Sequence, residues 1–331
     1  MKWESLSRDQ RKKVVRSHMF LREKYEDGQF IKMKARLVAD GRMQDHTVYH
    51  DFSSLTAKTK TCLKLAVVHN WDMLKLDIRG AFLCADMTDS EKVYMLLDQQ
   101  LSEMCSEWVP GVREFVRGDG KLAVKVSKAM YGLIQSAKLW YKELSGYLSS
   151  KGFKACKSDE SIMVKRMESG SYLVVILFVD DILVLSGGPD NRYWVRSILE
   201  ERYKKVTSEE GDRLPYLGMM IFKRNFGYKI CMKAYIDEIV KLYGRNNLRE
   251  YTVPATGNLF KIDEKAEVAA DKNKFRSIVA KLLYLGKRGR PDILMPAQFL
   301  CTREQAPTKH DIIKLEGFGI FKVHKGMDQV I

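Results

Sequence analysis

The sequence predicts an α+β fold: an antiparallel sheet covered by helices on one face, followed by a mainly helical last third. Three observations predict it. Residues 172–185, YLVVILFVDDILVL, hold two apolar runs with the length and β-branched content of buried strands, joined tightly at Asp180 and Asp181. Residues 71–83, WDMLKLDIRGAFL, alternate Leu74, Leu76 and Ile78 with Lys75 and Asp77, as a short strand does. Segments 136–149 and 191–203 carry their apolar residues at helical spacing.

Each element follows in chain order. Residues 19–37 read as two short strands joined by a turn at Glu26, Asp27 and Gly28. Taken alone, that hairpin either presents Lys24, Lys34 and Arg36 to phosphates or is a solvated basic edge that Lys protects from aggregation. Residues 56–70 place Leu63, Leu65, Ala66 and Val67 on a helix leading into the Asp77 strand. That strand ends in Gly80, Ala81 and Phe82, where small residues admit a ligand or another backbone. Residues 90–97 are extended, and 98–120, with both Gly and acids, read as a loop-rich insertion.

The helix over 136–149 shows an apolar stripe of Ala137, Leu139, Trp140, Leu144 and Leu148, and Gly152 ends it. The helix over 191–203 turns Val195, Ile198 and Leu199 inward. Pro254 breaks the chain before the last helices, expected at 272–287, 293–301 and 309–322, with another at 233–243.

Composition narrows the function. A chain of 331 residues exceeds one small domain, and 57 Lys and Arg against 42 Asp and Glu give a net charge of +15, which favours a polyanionic partner such as nucleic acid. The six cysteines, at 62, 84, 105, 156, 231 and 301, never pair at metal-ligand spacing and read as reduced thiols of a cytosolic or nuclear protein. His46 and His50 lack a nearby Cys pair for zinc, and GFG at 317–319 is too short for a dinucleotide fingerprint. The absence of a long apolar run or a signal sequence predicts a soluble, intracellular protein without a membrane partner.

The chemistry lies in the carboxylates. Ionised carboxylates beside a dry core are unfavourable unless a cation meets them, and hard cations such as Mg²⁺ take carboxylate oxygens. Asp180 and Asp181 alone fit an exposed turn as readily as a metal site, and Asp77 alone could cap a helix. Together they match the arrangement in which carboxylates from separate strands clamp two metal ions about 3.5–4 Å apart for phosphoryl transfer. Asp72 and Asp86 lack the strand-end context and read as surface charges.

Several blocks resemble the reverse transcriptase of Ty1/copia-type retrotransposons, in the order that family has them. They are KARLVADGR at 34–42, KLDIRGAFL at 75–83, VYMLL at 93–97 and KAMYGLIQSAKLWYKEL at 128–144. KGFKACKSDESI at 151–162, LFVDDILVLS at 177–186, YLGMMI at 216–221 and FRSIVAKLLYLGKRGRPDI at 275–293 complete the set. The resemblance implies a right-hand polymerase with fingers at 1–52 and 92–135 and a palm at 53–91 and 136–215. It implies a primer grip, thumb and start of a connection at 216–331, without a complete RNase H region. It implies a piece or remnant of a retrotransposon polyprotein, acting in a cytoplasmic particle or the nucleus beside other polyprotein parts.

The activity so implied is RNA-directed DNA polymerisation, extending a DNA primer with dNTPs on an RNA template and holding the RNA–DNA hybrid. Two Mg²⁺ ions, with Mn²⁺ as substitute, would be held by Asp77, Asp180 and Asp181, the last at longer range because adjacent strand residues point to opposite faces. The resemblance assigns Lys34, Arg36, Phe82 and Gln135 to the incoming nucleotide, with the Phe82 ring excluding a ribose 2′-hydroxyl. It assigns Tyr216, Leu217 and Gly218 to the primer grip. Lys281, Lys287, Arg288 and Arg290 would hold duplex phosphates in the thumb, or form a solvated face. One departure stands out: Phe178 occupies a position where the family usually has Tyr. The alternative reading is a catalytically dead nucleic-acid-binding remnant.

Overall fold

The apolar runs at 172–185 become two neighbouring strands near the middle of a six-stranded sheet. The computed structural model describes residues 1–26, 29–44, 59–88, 92–225, 227–244, 253–255, 257–263, 266–268, 271–316 and 329–330. The expected turn at 27–28, His46 and His50, residues 56–58 and 90–91, GFG at 317–319 and the end of the last expected helix lie outside them.

The chain opens with α1 (Arg8–Lys12), β1 (Val15–Glu26) and β2 (Gln29–Ala39), then α2 (Thr59–Val68) and β3 (Asp72–Ile78). β4 (Val93–Leu97), α3 (Gln99–Trp108), β5 (Leu122–Val126) and α4 (Ser136–Ser150) follow. Next come β6 (Lys154–Cys156), β7 (Asp159–Arg166), β8 (Tyr172–Phe178), β9 (Asp181–Ser186), α5 (Pro189–Tyr203) and β10 (Val206–Glu210). The remainder holds β11 (Arg213–Tyr216), β12 (Met219–Arg224), β13 (Gly227–Cys231), α6 (Lys233–Tyr243), α7 (Lys272–Arg288), α8 (Leu294–Thr302), α9 (Lys309–Glu316) and β14 (Gln329–Val330). The large sheet has the order β10-β3-β9-β8-β7-β6.

The chain divides into two compact units. The first comprises residues 1–57, 76–184 and 193–207; the second comprises 58–75, 185–192 and 208–331. The segments expected as fingers thus lie wholly in the first unit, and 216–331 wholly in the second.

In the first unit, Leu76, Ile78, Ile176 and Leu183 are fully buried, each contributing about 1.5–3 kcal/mol by leaving water. α4 and α5 lie side by side: the Tyr147 hydroxyl donates to the Ile198 carbonyl at 2.7 Å, and Arg202 pairs with Glu143 at 2.8 Å. A smaller sheet, β2-β1-β4-β5, packs its own cluster of Val15, Met95, Leu97, Leu101, Leu122 and Val126. α3 belongs to this cluster and replaces the irregular segment expected over 98–120. Asp98 caps it by accepting from the Leu101 N–H at 2.9 Å, and Leu101 and Cys105, four apart, supply its apolar face.

Beyond Ser17, β1 and β2 form a two-stranded ribbon. Its cross-strand pairs sort by face: Phe20–Arg36, Arg22–Lys34 and Lys24–Lys32 share one side, Met19–Leu37 and Glu23–Met33 the other. The ribbon's base is fixed by two glycines. The Ala39 N–H donates to the Tyr131 carbonyl at 2.9 Å, and a Cβ on Gly132 (φ +94°) would run into the Ala39 carbonyl. A Cβ on Gly41 would in turn collide with the Gly132 carbonyl.

In the second unit the expected primer grip at Tyr216, Leu217 and Gly218 lies at a hairpin between β11 and β12, which continues into β13, a strand not expected from the sequence. Leu217 (φ +48°) and Gly218 (φ +69°) supply the two left-handed residues that such a two-residue turn requires. The Tyr284 hydroxyl of α7 donates to the Leu217 carbonyl at 2.8 Å and locks the turn. α7 starts directly after its Asp271 cap, whose carboxylate accepts from the Lys274 N–H, and buries Phe275, Ile278, Val279, Leu282 and Leu285.

Gly132→Ala should lower stability by roughly 3 kcal/mol or more, because it adds a backbone clash to the 1–3 kcal/mol of left-handed strain. Gly170 also has positive φ (+80°) but faces open space, so Gly170→Ala should cost only about 1 kcal/mol. Urea denaturation of both variants checks the contrast.

Candidate active site at the mouth of the central strands

β8 and β9 are joined by only Val179 and Asp180. Val179 sits at φ +54°, a conformation that a β-branched residue adopts only under constraint. Trp140 of α4 supplies that constraint: its indole N–H donates to the Val179 carbonyl at 2.6 Å while the ring is 1 % exposed. Asp180 is thereby fixed at the end of the two central strands. Its carbonyl accepts from the Ile78 N–H at 3.4 Å, which places the end of β3, and Asp77, beside the turn. Along β3, Leu76 and Ile78 point inward and Asp77 takes the half-buried side between them.

Two further side chains sense both carboxylates. Partial burial, with Arg36 and Lys24 nearby, holds the Lys34 ammonium below the usual lysine range, and Asp180 and Asp77 pull it back up. Burial first, then the charge of Asp180, push the Tyr131 phenol above its usual value. Arg36 and Asp77 also act on that phenol, in opposite senses, so the phenol keeps its proton beside Asp180. Its ring meets Phe82 edge-on, 4.8 Å between centroids at 70°, and the Arg36 guanidinium lies 5.6 Å from its centroid. Phe82 itself is carried on the short 3₁₀ turn Ala81–Cys84 and is buried.

Among the described residues no three Asp, Glu, His or Cys side chains gather as a group able to hold a metal ion. Asp181 opens β9 directly after the turn residue Asp180. Asp77 and Asp180 nevertheless fit a magnesium ion of the kind that uses one or two carboxylates and completes its octahedron with water and substrate phosphates.

The sequence profile of the family described as reverse transcriptase (RNA-dependent DNA polymerase) matches residues 2–257. The chain belongs to this family. It is 26% identical over 290 residues to the retrovirus-related Pol polyprotein from transposon TNT 1-94 of Nicotiana tabacum, covering 83% of this chain and 20% of that protein. Against the Pol polyprotein from transposon RE1 of Arabidopsis thaliana it is 29% identical over 305 residues, covering 90% and 19%. Against the transposon Ty1-DR1 Gag-Pol polyprotein of Saccharomyces cerevisiae it is 27% identical over 307 residues, covering 86% and 16%. The expected Ty1/copia kinship is borne out, and the chain spans about a fifth of the length of these relatives. A solved foamy viral protease-reverse transcriptase in complex with RNA/DNA hybrid aligns at TM-score 0.42 and 14% identity, over 88% of this chain and 32% of that one.

Within this reverse transcriptase chain, the expected site residues separate. Lys34, Arg36, Phe82, Asp77 and Asp180 come together in the first unit. Gln135 is 2 % exposed at the start of α4, where its amide oxygen accepts from Gln44 at 2.9 Å. Tyr131 takes the place beside the carboxylates, and only its membership in the YGLIQS block hinted at that from sequence.

In the second unit, Tyr216 is buried beneath the hairpin turn that carries Leu217 and Gly218. Arg288 and Arg290 correct the expectation of a solvent-facing basic helix. Arg288 is buried with its guanidinium 3.7 Å from the Tyr284 ring centroid, and burial lowers its pKa. Arg290 is buried in a two-pronged pair with Asp292. Of that group Lys287 is exposed, while Lys281 pairs with Glu238 at 2.6 Å. Asp72, expected as a plain surface charge, joins Lys223 and the buried Arg192 in an ion-paired group. Asp86 is exposed beside Lys128. No described helix is long and apolar enough to cross a membrane.

Trp140→Phe keeps the ring but removes the donor to Val179. It should lower stability by about 1–3 kcal/mol, since the turn carbonyl is left unsatisfied, as thermal or urea unfolding measures.

Proposed function

We propose that this chain extends a DNA primer with deoxynucleoside triphosphates on an RNA template by nucleotidyl transfer at Asp77 and Asp180, holding the resulting RNA–DNA hybrid. The observation that carries the reading is the convergence of Asp77 and Asp180 on Lys34 and Tyr131, opposite a ribbon face lined with Arg22, Lys24, Lys32, Lys34 and Arg36.

In this reading Asp77 and Asp180 hold divalent cations, Mg²⁺ with Mn²⁺ as substitute, which supply a more acidic primer hydroxyl and neutralise phosphate charge. Lys34 and Arg36 receive the triphosphate: the guanidinium offers a planar fork to phosphate oxygens and the ammonium a point charge. Both come from a ribbon whose base is clamped at Gly132, so their aim is fixed before substrate arrives. Phe82 lies beneath the sugar and opposes a 2′-hydroxyl by its bulk. Leu217 and Gly218 present the primer from a turn that Tyr284 holds. Asp181 and the exposed Lys287 act at longer range, through charge alone.

Primer extension on purified protein tests the reading. Asp77→Asn and Asp180→Asn should each reduce the rate by roughly a thousandfold or more while leaving the fold intact, because groups acting as a unit fail together. Near-normal extension by either variant refutes it.

A lysine is charged below its pKa, and that of Lys34 is lowered, so its charge disappears at a lower pH than an ordinary lysine's. The KM for dNTP should therefore begin to rise with pH before the usual lysine range is reached. Lys34→Arg, which keeps its charge, should flatten that alkaline rise. Steady-state KM between neutral and alkaline pH gives the comparison.

A further inference from the structure

We propose that Tyr131 is a positioning residue whose ring backs Phe82 and so sets discrimination against ribonucleotides. The inference rests on the polymerase reading above and extends it to a residue outside the carboxylates and the basic ribbon.

Two contacts meet on this one ring. The ring receives Phe82 edge-on at 4.8 Å, near the close end of the range for aromatic pairs. Arg36 approaches the ring at 5.6 Å, within reach of a cation–π contact. The backbone beneath cannot shift to compensate for a trimmed side chain, because the Tyr131 carbonyl is bonded to the Ala39 N–H and Gly132 is packed against the Ala39 carbonyl. Removing the ring therefore leaves a void beside Phe82 and not a collapsed loop. A sugar gate discriminates only if it cannot swing away from the extra hydroxyl. Phe82 stands on a single 3₁₀ turn and has the Tyr131 ring as a stop.

Tyr131→Phe keeps the stop; Tyr131→Leu removes it. Single-nucleotide extension of a DNA primer on an RNA template, with a dNTP and the matching rNTP, gives kcat, KM and their selectivity ratio. Tyr131→Phe should leave the selectivity ratio unchanged, because the ring stays. Tyr131→Leu should reduce selectivity by roughly two- to tenfold, the worth of one aromatic pair, in the same direction as Phe82→Ala. The double variant Tyr131→Leu/Phe82→Ala should show no further loss of selectivity, since the stop has nothing left to hold.

Thermal unfolding confirms that each variant is folded; if Tyr131→Leu is not, Tyr131→Met, nearer in volume, takes its place in the comparison. A merely structural Tyr131 would move both readouts together, so identical profiles for the Phe and Leu variants overturn the inference. Wild-type selectivity in the Leu or Met variant does the same, while leaving the polymerase reading standing. Wild-type protein that extends no primer overturns that reading, and this inference with it.

Discussion

Two carboxylates held at the ends of central strands repel one another, and the surrounding architecture keeps Asp77 and Asp180 there. Coulomb repulsion in a half-buried site is several times stronger than in water, so positive charge beside the pair matters. Lys34 supplies it, and the Tyr131 phenol stands beside them. Both depend on elements far away in sequence. Lys34 arrives on the ribbon, Tyr131 on the loop after β5, and the two are fastened to each other at Ala39 and Gly132.

The same constraint explains where the first unit is rigid. The turn that presents Asp180 contains a β-branched residue in a left-handed conformation, a strain of about 1–3 kcal/mol that must be offset nearby. Trp140 offsets it with a short hydrogen bond from an almost fully buried ring, and the ring is in turn packed against Tyr203 at 5.3 Å. A strained turn on a rigid backing keeps carboxylates in position more precisely than a relaxed loop would, which is what positioning chemistry needs.

The ribbon shows the opposite economy. Arg22 faces Lys34 and Lys24 faces Lys32, so like charges stand directly across the strands. Such pairs destabilise a free ribbon. Under the proposed function, phosphates laid along that face would relieve them. The second unit is organised differently. Its basic helix α7 spends Arg288 internally, on Tyr284, which in turn holds the Leu217–Gly218 turn.

Alternating apolar residues settled β3, the two runs around Asp180 and Asp181 settled β8 and β9, and helical stripes settled α4, α5, α6 and α7. In these segments burial dictates the pattern of each short stretch, so the local period carries the answer. The sequence alone also named Asp77, Asp180, Lys34, Arg36 and Phe82. It could not reveal α3, whose cap and one apolar face are written in ordinary surface residues, nor the burial of Arg288 and Arg290, because charge in a sequence carries no depth. It placed Gln135 at the nucleotide and passed over Tyr131, four residues earlier, because the direction of a side chain in an irregular loop depends on what clamps the loop. Here the clamp is a glycine whose neighbour lies some ninety residues away, and only the tertiary structure brings them together.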